Sequence, residues 1–167
     1  DATIAGYAMD RGKACLILGN KWDLSKEKEI SFDEFEEHVR YRLKFMEYAP
    51  VVTVSAKTGL RIDKILPQVE KVYEEYSRKI PTATLNECFE RAIQKNPMSS
   101  YRGKFMKLFY ATQVKKQPPT FKCFLNFPQG IHFSYRRYLI NSLRKTFGFA
   151  GTPVRLILSG KRKGIDT

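Results

Sequence analysis

Asn20-Lys21-Trp22-Asp23 and Ser55-Ala56-Lys57 each close an apolar run, and both strings carry residue types able to read the edge of a purine. An aspartate set edge-on to the ring accepts from N1–H and from the exocyclic amine of guanine. Adenine would instead turn its own N1 lone pair toward the carboxylate. So placed, Asp23 would select guanine, partly by attraction and partly by repelling adenine. A correct base then satisfies every buried partner and a wrong one leaves several unpaired.

These residues need elements that bring them together. Ala14-Cys15-Leu16-Ile17-Leu18-Gly19 is a continuous apolar run suited to a strand buried on both faces, and Val51-Val52-Thr53-Val54 is a second. Between them, Ser31-Phe32-Asp33-Glu34 reads as a capping box, followed by Phe35, Val39, Leu43 and Met46 at helical spacing. The pattern predicts a strand-helix-strand unit of α/β type with both strings at the carboxyl ends of parallel strands, where open sheets bind ligands.

On these residues the pair resembles the two guanine-specificity motifs of a GTPase domain. The resemblance implies that Asn20 holds its loop in shape and contacts the base edge, that the aliphatic stems of Lys21 and Lys57 cover the two ring faces, and that Ser55-Ala56 presents the Ala56 N–H to guanine O6, which adenine lacks. It also implies GTP or GDP as ligand, with Mg²⁺ in a complete domain. No Gly-x-x-x-x-Gly-Lys-Ser/Thr occurs in the chain, so the cradle for the β and γ phosphates and the hydroxyl for Mg²⁺ are missing. No catalytic residue is expected in the chain, which on its own is expected to be inactive. Residues 1–13 read as a helix joined in mid-domain, so the chain is expected to be a fragment.

Charge divides the sequence. Residues 1–80 hold 14 Lys+Arg against 14 Asp+Glu, whereas residues 81–167 hold 16 against 3, so the net charge of +13 arises from the second region. That excess predicts a polyanionic partner. Without a long apolar stretch, signal peptide or lipidation motif, nucleic acid is favoured over a membrane. Cys15, Cys88 and Cys123 stand singly in apolar surroundings and read as buried thiols of a cytoplasmic protein. His38 and His132 have no ligand-like neighbours, and no metal site is expected.

The join is placed near Ile80-Pro81-Thr82, after a helix marked by Ile62, Ile65, Leu66, Val69, Val72, Tyr73 and Tyr76. Beyond it, Thr84-Leu85-Asn86-Glu87 reads as a capping box opening a helix that ends before Pro97. Met106, Leu108, Tyr110, Thr112 and Val114 then alternate with Lys107, Gln113 and Lys115. After a turn at Gln117-Pro118-Pro119, Phe121, Cys123, Leu125 and Phe127 return as an antiparallel strand. Ser134 is placed as the cap of a helix carrying Tyr135, Tyr138, Leu139, Leu143 and Phe147 inward, with Gly148 at its end. Val154–Leu158 closes the region. The order helix-strand-strand-helix-strand predicts a small α+β domain with one core.

Asn126-x-Pro128, His132-Phe133-Ser134-Tyr135-x-Arg137-Tyr138-Leu139, Phe147-Gly148-Phe149 and Gly151-Thr152-Pro153-Val154-Arg155-Leu156 make this region similar to the KH-like C-terminal domain of the Der (EngA) family, bacterial GTPases with two tandem G domains. The tryptophan of Asn20-Lys21-Trp22-Asp23 resembles the corresponding motif of that family's second G domain. The resemblance implies that residues 1–80 are the back half of that G domain and residues 81–167 the KH-like domain. It also implies GTP hydrolysis by the parent protein, the missing G domains as neighbours, and a role in assembly of the large ribosomal subunit with contact to ribosomal RNA.

Expected RNA or partner contacts are distributed over Arg136, Arg137, Arg144 and Lys145 on the outer side of the second helix and over Lys161-Arg162-Lys163. Gly148-Phe149-Ala150-Gly151 fits the letters of the KH backbone clamp, but a helix C-cap and a strand start explain both glycines. The rival reading is a non-enzymatic RNA-binding or adaptor protein with a vestigial half G domain. If the front half is missing, the outer edge of the first strand, at Ala14–Leu18, has lost its neighbour and is expected either to drive self-association or to leave residues 1–60 partly disordered while residues 81–167 remain folded.

Overall fold

A computed structural model describes residues 2–25, 27 and 29–160. The chain forms two compact units. The first runs to Ser77 and includes the distant segment Phe149–Pro153; the second comprises Arg78–Gly148 and the chain from Val154.

In the first unit, α1 (Ala2–Asp10) precedes β1 (Ile17–Gly19), α2 (Phe32–Arg42), β2 (Val51–Thr53) and α3 (Ile65–Ser77). The strands pair in parallel, with Ile17 opposite Val51 and Gly19 opposite Thr53. Both are shorter than the apolar runs predicted, because the chain leaves the ladder early: the Cys15 amide donates 2.7 Å to Gly151 O rather than to a strand. The capping box forms as expected. Glu34 N–H donates to Ser31 Oγ, and the Glu34 carboxylate accepts from Ser31 N at 2.9 Å. Phe35 of α2 lies against Gly19, where any Cβ would come within 2.6 Å of its ring.

The core of this unit is thin. Neither α1 nor α2 contributes a fully buried residue, and Met46, Ala49, Val54 and Val72 fill it together with Phe149, whose side chain is completely enclosed. Pro67 sits in the first turn of α3, where its missing N–H costs least.

The second unit contains α4 (Thr82–Lys95), β3 (Leu108–Lys115), β4 (Thr120–Leu125), α5 (Phe133–Phe147) and β5 (Arg155–Gly160). The sheet order is β3-β4-β5, with β3 antiparallel and β5 parallel to β4. Leu85 and Phe89 of α4, Leu139 and Leu143 of α5, and Phe121, Cys123, Leu125 and Leu156 of the sheet are enclosed in one core. The mixed α/β architecture thus carries a helix-strand-strand-helix-strand unit, as the residue pattern predicted.

Three local expectations change. Helix α4 starts at Thr82 behind Pro81, so Thr84 lies inside it and no side-chain cap forms. Proline supplies the φ of −59° that lets the chain turn in without one. The cap of α5 is His132, whose Nδ1 accepts from Ser134 N at 3.3 Å, and Ser134 is the second helical residue. In β3 the inward set is reversed: a register shift between Leu108 and Tyr110 adds a residue, so Ala111 and Gln113 face the helices while Tyr110 and Thr112 face away.

The outer edge of β3 is blunted by side-chain amides. Asn86 Oδ1 accepts from Ala111 N at 2.7 Å and its Nδ2 donates 2.9 Å to Ala111 O, copying a neighbouring strand. Gln113 does the same for the interdomain chain, accepting from Ile80 N at 2.7 Å and donating 2.9 Å to Arg78 O.

Candidate functional site

The two strings singled out by their chemistry meet at the carboxyl ends of β1 and β2. Val54 N donates 2.9 Å to Gly19 O, and Trp22 N donates 3.0 Å to Val54 O, so the parallel pairing is carried one step beyond the strands into the two loops. Asn20 clasps them: its Oδ1 accepts from its neighbour Lys21 N at 2.8 Å and from Ala56 N, 36 positions on, at 3.1 Å. One side-chain carbonyl thereby fixes both loops, and only an amide side chain leaves a donor NH₂ available as well.

Lys21 pays for this bend with a left-handed backbone, φ 64° and ψ 32°. For a non-glycine residue that conformation costs roughly 1–2 kcal/mol. The next residues fix it in place. Trp22 packs edge-on against Phe35 at 5.3 Å and Phe32 at 6.4 Å, and Ser25 Oγ donates 2.7 Å to Trp22 O. The indole anchors the loop to α2. The spacing of the motif alone did not reveal that anchoring role.

Asp23 Oδ1 accepts a 2.6 Å hydrogen bond from Ser55 Oγ. That bond, its own backbone amide and the charges of Lys57 and Lys21 hold the carboxyl below its ordinary value, against a smaller opposing effect of desolvation. Asp23 is therefore an ionised acceptor at neutral pH. Ser55 is fully buried and acts twice, since its Oγ also accepts from Thr58 N at 3.3 Å, and its amide donates 3.0 Å to Leu60 O, folding residues 55–60 into a tight loop. Its role is to position the carboxylate rather than to face solvent. Ala56, Lys57 and Lys21 are exposed at the rim. The amide of Ala56, expected to face a ligand oxygen, is turned to Asn20 Oδ1.

The basic residues of α5 do not form one patch. Arg136 donates to Leu156 O, which ties α5 to β5. Arg137 lies over the Phe133 ring, 5.3 Å from its centroid. Arg144 is partly buried, and Lys145 lines a cleft between α4 and α5 with Arg91 and Lys95. Lys161, Arg162 and Lys163 lie outside the described residues. Gly148-Phe149-Ala150-Gly151 does not present a backbone clamp: Phe149 and Gly151 are buried, and the Phe149 amide donates 2.6 Å to Glu75 Oε2. Among the described residues no cluster of His, Cys, Asp or Glu could hold a metal, and no helix is long and apolar enough to cross a membrane.

Residues 79–158 match the family described as KH-domain-like of EngA bacterial GTPase enzymes, C-terminal. The chain is 48% identical over 163 residues to GTPase Der of Moorella thermoacetica, covering 98% of this chain and 37% of that protein. It is 45% identical over 166 residues to GTPase Der of Caldanaerobacter subterraneus and 46% over 157 residues to GTPase Der of Bacillus cereus, covering 37% and 36% of those proteins. The chain thus spans little more than a third of the curated relatives it matches.

Proposed function

We propose, on the premise that this chain belongs to the Der (EngA) family of GTPases, that residues 1–80 supply the guanine-reading side of a GTP-binding G domain and residues 81–167 a KH-like domain that docks on ribosomal RNA. The observation that carries the first half is the convergence of Asp23, clamped and ionised by Ser55, with Asn20 bridging the amides of Lys21 and Ala56. Ser55 occupies one lone-pair site of a carboxylate that has about four, which leaves acceptors for guanine N1–H and N2–H₂. Lys21 and Lys57 flank the base, and a small rotation of Asn20 releases the Ala56 amide to O6.

The residues fit the base of a guanine nucleotide and not its phosphates. Mg²⁺ and the γ-phosphate would be held by parts of a G domain that this sequence does not contain. In the complete protein GTP hydrolysis follows, and the basic domain carries the protein to the large ribosomal subunit during its assembly, in the cytoplasm. The outer edge of β1 provides a second contact, through which separate copies of the chain self-associate.

Exchanging Asp23 for asparagine in the longer protein tests the base assignment. The variant should lose preference for GTP over ATP and gain xanthosine triphosphate binding; unchanged competition by both would remove Asp23 from the base. The chain by itself should bind guanine nucleotide weakly and turn over none.

A further inference from the structure

One face of the β3-β4-β5 sheet is covered by α4 and α5, through the enclosed Ala111, Phe121, Cys123, Leu125 and Leu156. On the other face an ordinary half-buried sheet carries polar side chains. Here Tyr110, Phe124 and Ile157 stand among the polar Thr112, Lys122, Arg155 and Ser159. Tyr110 stands directly opposite Phe124 and stacks on it, with ring centroids 4.4 Å apart and planes 20° from parallel. Lys122, opposite Ile157, places its ammonium 5.1 Å from the Phe124 centroid. Tyr110 is 49% exposed and Ile157 44%, while Phe124 and Lys122 between them are half-buried. Beside it, at the register shift, Lys107 lies over the Phe109 ring at 6.0 Å.

The charge of the surroundings is of one sign. From Arg91 to Gly160 the sequence contains 13 lysines and arginines and no aspartate or glutamate. A protein surface docking here would need to be acidic and apolar at once. A nucleic acid with unpaired bases offers both properties in every nucleotide: a flat π-face for an aromatic ring and a phosphate for a lysine. A duplex hides its base faces and could use only the lysines.

We propose that the open sheet face centred on Tyr110, Phe124 and Lys122 is a stacking platform for single-stranded RNA, distinct from the helix side of the domain. A base stacks on the outward face of the Tyr110 ring, whose other face lies on Phe124; Ile157 extends the apolar floor, and Lys122, seated over the Phe124 ring, pairs with the backbone phosphate. The proposal rests on the RNA-docking reading of residues 81–167 and assigns a face and a strandedness to it.

The test uses the full chain with a 12-nucleotide single-stranded RNA carrying 2-aminopurine and with a duplex of the same length. Single-stranded RNA should bind more tightly than duplex, and 2-aminopurine should be quenched on binding, which reports stacking without any substitution. The double variant Tyr110→Leu/Phe124→Leu, which keeps the face apolar, should weaken single-strand binding by about 10- to 100-fold. Its duplex binding should be unchanged, and Tyr110→Phe should bind like the unsubstituted chain. Lys122→Gln should flatten the salt dependence of single-strand binding.

Unquenched 2-aminopurine, or a folded double variant that still binds single strands fully, would overturn the platform. If duplex binding persisted and fell with substitutions in α5, RNA docking would stand and the platform alone would fail. Binding of neither probe would end both. Capture on this face of a G domain of a relative added in trans, lost with the two leucine substitutions while RNA binding is unaffected, would reassign it to a protein partner and likewise overturn the proposal.

Discussion

Gly151→Ala probes how the chain's late segment completes its first unit. Gly151 adopts φ +68°, its amide donates 2.7 Å to Tyr48 O, and its carbonyl accepts the 2.7 Å bond from Cys15 N. A Cβ at this position would lie 2.6 and 2.7 Å from the two methyl groups of Val72 and 2.8 Å from Cys15 O. Val72 is itself buried and the carbonyl belongs to the backbone, so neither can swing aside. The left-handed conformation costs about 1–2 kcal/mol for alanine and the overpacking about 1–3 kcal/mol, together roughly 2–5 kcal/mol.

The single tryptophan, Trp22, lies in this unit and reports its unfolding by fluorescence. For a unit of about 80 residues, with a urea dependence near 1 kcal/mol per molar, the Trp22 midpoint should fall by about 2 M or more. Gly59→Ala is the matched control. Gly59 has φ +78° and open space around its missing Cβ, so it incurs only the conformational cost and should lower the same midpoint by roughly 1–2 M. If Gly151→Ala destabilised no more than Gly59→Ala, the close approach to Val72 and Cys15 would have no energetic weight and the reasoning would fail.

Ser55→Ala should raise the Asp23 pKa toward the ordinary aspartate value, measured by NMR titration of the Asp23 side chain, because the 2.6 Å bond is the leading cause of its depression. The sign follows for stability: the stabilisation from ionised Asp23 is fully present above its unfolded value near 3.8 and is lost as pH falls through the lower folded value, so acid unfolding of the Trp22 unit should begin at higher pH in the variant. Asn86→Ala should destabilise the second unit by about 2–4 kcal/mol, read by denaturant titration of far-UV circular dichroism, because it strips both partners from the buried Ala111 peptide group. Cys123, whose thiol burial pushes up to about 12, should resist a thiol reagent at neutral pH until the chain unfolds; labelling at the rate of a free thiol would contradict its place in the core.

Residue order alone determined the elements whose signals are local. The capping box at Ser31 and Glu34 joins groups three residues apart, the Gly148 stop needs only a glycine after a helical pattern, and the alternation of Phe121, Cys123 and Leu125 puts every second side chain on one face. The strings at residues 20–23 and 55–57 were legible for the same reason, since each is contiguous and each ends an apolar run. Three features depended on contacts that no local pattern encodes. The inserted residue in β3 reverses which side chains meet the helices, because parity along a strand holds only while the register does. The α5 arginines, equivalent by sequence as a basic surface, were separated by what lies within reach, with Arg136 drawn to Leu156 O. Phe149 and Gly151 belong to the first unit although they follow its main segment, which ends at Ser77, by some 70 residues: among its described residues that segment encloses no aromatic side chain of its own, and only the folded chain brings Phe149 to its thin core.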